Sequence, residues 1–331
     1  SLDRYKIEPL NMDQLAYTFA QDNTVPAGEG FSKSAKISIT TAEDSVADNE
    51  IFRLLHRIEG QNMQRASWGT SSAKPLTLSF FVRSNVTGTY ALEFRMNSGG
   101  NNSLSKNYTI NSADTWERKT ITFPKNTSTN FINDNTEGCE LGWYLAAGAN
   151  YTSGSLASDY GANATNTRAA GQTANITSSS SNTWYITGVQ LEVGEQATPF
   201  QHRSFEDELA RCHRYTTVYP PADVTAEFKY AIPQSSNVCD VANRPEVTIF
   251  YPEKRADPTI THIGNTTSDW RVGLANNTNL TPTGISQAVG NSRRGSVFFI
   301  TVSSGVSTNS LSGVACYFYS NGGRIVVDAE L

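Results

Sequence analysis

The chain has 331 residues, a formal net charge of -5, and 17% charged against 38% hydrophobic side chains, where about 25% charged is usual in a soluble domain. Such a balance offers no basic surface to neutralise phosphates, which argues against nucleic acid as a partner, and no apolar run approaches the roughly 18 residues of a membrane-spanning helix. The length suits two domains, and a polar surface built from Ser, Thr, Asn and Gly around short apolar runs reads as all-β.

Taken in order, Ile37 and Ile39 mark a short strand. Residues 51 to 58 are apolar on both parities, as in a strand buried on two sides or a short helix; the strand is preferred. Leu76, Leu78, Phe80 and Val82 share one parity, and Tyr90, Leu92, Phe94 and Met96 repeat it beyond a turn at Val86 to Gly88, which predicts a hairpin with one core face. Gly99, Gly100, Asn101 and Asn102 break the pattern. Ile121 with Phe123, and Cys139, Leu141, Trp143 and Leu145, mark two further strands. Residues 148 to 183 read as one long loop, and Tyr185, Val189, Leu191 and Val193 then share the buried parity of a closing strand.

Ser204 before Glu206, Asp207 and Glu208 is an S-x-x-D capping arrangement, so a helix starts there. Phe205, Leu209 and Cys212 follow at i, i+4 and i+7, which makes it a short amphipathic connector. Beyond Pro220 and Pro221 the pattern is strand after strand, at Phe228 to Ile232, Val247 to Ile249, SVFFITV (Ser296 to Val302), VACYFY (Val314 to Tyr319) and Ile325 to Leu331. The expected organisation is a jelly-roll β-sandwich over 1–203, a connector over 204–219 and a second, smaller β-sandwich over 220–331.

The motifs of chemistry are sparse. There is no G-x-S-x-G, no H-E-x-x-H and no Gly-rich phosphate loop. His56, His202, His213 and His262 have no partner at ligand spacing. The run from Asn133 to Gly138 begins like an EF-hand loop but carries Tyr144 where the twelfth-position Glu belongs, so no metal is expected, and no cofactor. Cys139, Cys212, Cys239 and Cys316 form no C-x-x-C pair and are expected as free thiols. Binding of sugar needs aromatic rings set among polar side chains. Tyr151 and Tyr160 in the long loop and Trp270 in the segment SDWR meet that description, although each reads more readily as an ordinary surface or edge packing aromatic. Trp68, Trp116, Trp143 and Trp184 read as core or rim residues.

Three pairs of stretches carry a resemblance. ITGVQLEVGEQATPF (Ile186 to Phe200) with the helix ELARCHRY (Glu208 to Tyr215), WGTSSAKPLTLSFFVRS (Trp68 to Ser84) with DTWERKTITF (Asp114 to Phe123), and ADPTI (Ala256 to Ile260) with the terminal DAEL resemble bacteriophage virion proteins described as tail fibre or minor structural proteins. The resemblance implies a carbohydrate-binding-module-like jelly roll in a non-enzymatic virion component, fibre-like or decoration-like, assembled in the bacterial cytoplasm with other virion proteins and in contact with host surface polysaccharide. The alternatives are a glycan-binding receptor-binding protein and, third, a polysaccharide depolymerase. It also implies a homotrimer, which would cover strands such as SVFFITV that have no polar face. LDRY (Leu2 to Tyr5) resembles a segment that follows an amino-terminal strand, which is expected to be missing.

Overall fold

The computed structural model describes residues 5–162 and 164–219, and beyond them 230–231, 246–263, 272–273, 279–280, 282–287, 292–302, 317–318 and 324–330. The chain divides into two compact units, the first ending at His202 and the second beginning at Arg203.

The first unit is a jelly-roll sandwich of two antiparallel sheets. Its strands are β1 (Tyr5–Leu10), β2 (Ala16–Asp22), β3 (Ser34–Thr41), β4 (Ile51–Glu59), β5 (Leu76–Ser84), β6 (Gly88–Met96), β7 (Asn102–Ile110), β8 (Glu117–Phe123), β9 (Glu137–Ala147), β10 (Gly161–Ala162) and β11 (Thr183–Val193). Six form a sheet in the order β1-β4-β9-β6-β7-β10 and five a sheet in the order β2-β3-β11-β5-β8. Phe52 and Leu54 of β4, Leu92 and Phe94 of β6 and Trp143 of β9 meet Ile37, Leu78, Phe80, Trp184 and Ile186 in a core that excludes water. At about 25 cal/mol per Å² of apolar surface removed from water, this layer is the main stabilising term of the unit.

Two sequence expectations change here. Leu76–Ser84 and Gly88–Met96 are not a hairpin: β5 pairs with β11 and β8, whereas β6 pairs with β7 and β9. The shared parity is that of two strands facing each other across the core, which period-2 patterning cannot distinguish from neighbours in one sheet. The second change concerns Tyr185. The register of β11 against β5 shifts between Thr187 and Gln190, a bulge that resets parity. Trp184 and Ile186 therefore face the core before it, Val189 and Leu191 pack on the core after it, and Tyr185 points outward. Gly188, at φ 61, sits in the bulge with Phe31 over it; a Cβ there would lie 2.6 Å from the Phe31 ring.

Residues 148–182 are more structured than a bare loop. They hold a single-turn helix α1 (Ala149–Thr152), strand β10 and two 3₁₀ turns. The exit from the sandwich is also fixed. After β11 the chain folds back over the five-stranded sheet, where Thr77 Oγ1 donates to the Gly194 carbonyl at 2.7 Å, the Gln201 amide to Gln190 Oε1 at 2.8 Å, and Arg118 Nη2 to the Thr198 carbonyl at 2.5 Å. Phe200 and His202 complete it, each with its ring centroid 5.0 Å from that of Phe31.

In the second unit, helix α2 (Phe205–His213) starts where the cap predicts, with Ser204 Oγ accepting from the Asp207 amide at 3.2 Å. Its apolar stripe is open: Phe205 is 78% exposed and Leu209 42%. The strands are β12 (Thr216–Tyr219), β13 (Tyr230–Ala231), β14 (Glu246–Phe250), β15 (Thr259–Ile263), β16 (Val272–Gly273), β17 (Asn279–Leu280), β18 (Pro282–Gln287), β19 (Gly295–Val302), β20 (Tyr317–Phe318) and β21 (Arg324–Asp328). They form three-stranded sheets β12-β21-β15 and β14-β19-β18 with pairs β13-β20 and β16-β17, all antiparallel. A fully buried lysine, Lys254, donates to the His213 carbonyl at the end of α2 and to Thr217 Oγ1, each at 2.6 Å.

Candidate functional site

Each sheet of the first unit has an outer face, and the two carry similar residue types in opposite states. On the six-stranded sheet, Arg53 of β4 stands among three carboxylates. Its Nε donates to Glu8 at 2.6 Å, and its Nη1 to Glu93 and to Glu140 at 3.2 Å each. Arg168 reaches Glu93 from the loop with Nε and Nη2 at 3.0 Å, and the Tyr144 hydroxyl donates to Glu93 at 2.9 Å. Burial alone would push the Arg53 guanidinium down, but Tyr144 and the carboxylates hold it up; burial, then Glu93, push the Tyr144 hydroxyl up, so it stays a donor. The loop is stitched down beside this network, with Ser105 Oγ donating to the Arg168 carbonyl at 2.8 Å and Asn107 Nδ2 to that of Ala170 at 3.1 Å.

The two loop tyrosines part here, Tyr151 to this face and Tyr160 to the interior core. Tyr151 is 8% exposed, packed with Ile51, Ala91, Tyr144 and Ala169 under the Arg168 guanidinium. Tyr160 packs edge-on against Trp68 at 5.1 Å, and its hydroxyl is buried with no partner among the described residues. Burial, with Asp159 and Cys139 nearby, pushes that hydroxyl well up from its ordinary value. Tyr151 is therefore a packing residue and not an open stacking face, because the Arg168 to Glu93 contact draws the loop onto the sheet. Trp270 lies outside the described residues. Among the described residues no group of three or more His, Cys, Asp or Glu is placed to hold a metal ion, and Cys139 is a buried free thiol. Cys239 and Cys316 lie outside them.

On the five-stranded sheet the exit segment covers one half of the outer face and leaves the other open. At the centre of that half lies a buried Tyr185, covered by its cross-strand partners Lys36 of β3 and Arg83 of β5. Lys36 Nζ lies 5.2 Å and the Arg83 guanidinium 5.0 Å from the Tyr185 ring centroid, a cation–π arrangement on both sides of one register position. Trp116, half-buried, meets Tyr185 edge-on at 6.1 Å. Lys36 is paired to Asp22 at 3.4 Å, and Arg83 Nη2 to Asp114 at 2.9 Å. Thr18, Ser38 and Thr183 flank the row with partly or fully exposed hydroxyl side chains. Sequence reading missed this group because it joins positions 149 and 102 residues apart, Lys36 and Arg83 against Tyr185. The available signal was a charged residue on the non-core parity of each of two apolar strands.

The first unit is thus a jelly-roll β-sandwich with one sealed and one half-open outer face. No protein-family model matches the chain, and no curated protein does. Among solved structures, it is similar to the enzymatically active domain of bacteriophage CBA120 tailspike protein 4, at 12% identity and TM-score 0.32 over 57% of this chain, a match that spans 19% of the tailspike chain. It is similar to the family 11 carbohydrate-binding module of the cellulase Lic26A-Cel5E of Clostridium thermocellum, at 9% identity and TM-score 0.30 over 59% of this chain and 93% of the module. A CBM4 structure matches at 15% identity and TM-score 0.28 over 58% of this chain and 87% of that one. These TM-scores are too low to transfer ligand or activity.

Proposed function

We propose that the chain is a non-catalytic bacteriophage virion component, fibre-like or decoration-like, whose first unit contacts host surface saccharide through the open half of the five-stranded sheet. The virion part rests on the sequence resemblance of the stretches from Trp68, Asp114 and Ile186. The contact part rests on one observation, the Lys36–Tyr185–Arg83 row with Trp116 at its edge, fixed by strand register, with Lys36, Arg83 and Trp116 partly exposed over a buried Tyr185. The non-catalytic reading is supported by the carboxylates that the fold brings together: Glu93 and Glu140 share Arg53 and are buried, so neither is free to act as acid or nucleophile on a glycosidic bond. Self-association as a homotrimer is supported by the open stripe of Phe205 and Leu209 on α2.

A glycan array tests the contact. Trp116→Ala and Arg83→Ala are expected to lose the wild-type signal while Tyr151→Phe keeps it, and release of reducing ends from host polysaccharide would replace the binder with an enzyme. Sedimentation of the purified chain tests the trimer, and a stable monomer at micromolar concentration removes it.

A further inference from the structure

Resting on that reading of the open face, we infer that the saccharide it takes is acidic, with a ligand carboxylate held by Arg83 in the place now filled by the Asp114 side chain. What decides between a neutral and an acidic sugar is what the face presents. Neutral pyranoses are held by an uncovered aromatic face and by side chains that read hydroxyls. Tyr185 is only 6% exposed, and the groups lying over it are two cations within 5.2 Å of its centroid. The row therefore offers two aspartate-paired cations in place of an open ring.

Arg83 is also pre-positioned. Its Nε donates to the Asp114 carbonyl at 2.8 Å, its side chain is 19% exposed, and it lies against Tyr185. The guanidinium plane is thereby set by backbone and ring, which is the condition for a two-pronged bond to a carboxylate. Its present anionic partner is weakly held by comparison. The Asp114 side chain is 56% exposed, and exposed ion pairs contribute little and are screened by salt. Asp114 itself sits at φ 56, a conformation that Asp and Asn tolerate better than other residues. An incoming carboxylate can swing the Asp114 side chain into water and leave the Asp114 carbonyl and the arginine in place. Lys36 supplies a second cation across the same ring, and Trp116 an apolar wall for the sugar body. The contrast with Arg53 is instructive, because there the carboxylates are buried with the guanidinium and cannot be exchanged.

The test uses the full chain on an array of acidic glycans, uronate- and sialate-containing, each printed beside its carboxyl-reduced counterpart, with affinities then measured by titration calorimetry. Wild type is expected to bind at least one acidic glycan tenfold or more tightly than the reduced form, with the margin shrinking as salt rises. Arg83→Gln should bring that ratio close to one, Arg83→Lys should keep part of it, and Asp114→Asn, which removes the competing carboxylate, should tighten acidic binding severalfold; unfolding curves confirm that each variant is folded. Equal binding of acidic and reduced forms by wild type overturns the inference and leaves saccharide contact standing. Absence of binding to any glycan overturns both. An acidic preference that survives Arg83→Gln, or competition by inorganic phosphate as strong as by the glycan, overturns the inference alone.

Discussion

The two outer faces of the first unit use the same side chains, arginine over tyrosine with carboxylates around, to opposite ends. On the six-stranded sheet Arg53 and Arg168 lie over Tyr144 and are matched to Glu8, Glu93 and Glu140 beneath a loop. On the five-stranded sheet Arg83 and Lys36 lie over Tyr185 beside Asp114 and Asp22, with water alongside. The difference teaches that burial, and not residue type, decides whether a charge belongs to the scaffold or to the surface. Once desolvated, a charge is either matched inside the protein or has its titration shifted toward the neutral form, and a matched charge has nothing left for a ligand.

The largest expected effect falls on the sealed face. Arg53→Ala leaves Glu93 and Glu140 buried without that partner and is expected to cost the first unit about 3–5 kcal/mol, whereas Arg83→Ala should cost no more than about 1 kcal/mol. Equal costs in urea unfolding would erase the distinction. Next comes Gly188, where a Cβ would strike Phe31 and the backbone is left-handed. Gly188→Ala is expected to cost about 1–3 kcal/mol and to expose the exit segment to protease between residues 194 and 202.

Lys254 sharpens the comparison from the second unit, as a buried cation with no carboxylate within ion-pair distance among the described residues. Burial brings its amine down to about 8, against a weaker opposing pull from Asp328. The unfolded state then binds more protons between pH 8 and the ordinary lysine range, so the penalty is full below pH 8 and the unit gains stability as pH rises through that window. A flat thermal-melting profile from pH 7.5 to 10 would mean that Lys254 is not desolvated. The smallest effect concerns Glu117 on the open side. Burial pushes its carboxyl up, but hydrogen bonds from Lys119 and from Ser112 and Asn111 outweigh this and bring it down to about 2. Its contribution is present above the ordinary carboxylate range and fades as pH falls toward 2, loosening the turn that carries Asp114 and Trp116. Glu117→Gln should remove that acid dependence from Trp116 fluorescence.

Legibility followed the range of the interaction. The Ser204 cap and the two-residue periods of β5, β6 and β9 are local, and the structure keeps them. The β7 segment NSLSKNYTI escaped because Leu104, Tyr108 and Ile110 are its only apolar residues and it is a strand by virtue of its pairing with β6. The outward turn of Tyr185 depends on a bulge that no pattern announced. Tyr151 and Tyr160 looked like loop aromatics because the Arg168 to Glu93 bond that folds the loop down spans 75 residues. Chemistry at that separation is set by the sheet order, which composition does not encode.

The exit segment has a mechanical consequence. Tension applied at residue 203 would first peel the 194–202 stretch from the sheet, breaking the Thr198, Gln201 and His202 contacts one after another. Nine residues drawn out straight release about 30 Å of chain. Only after that slack is spent does the pull reach β11, which is bonded along both edges, so a tug on the second unit would be absorbed as extension before the sandwich is strained.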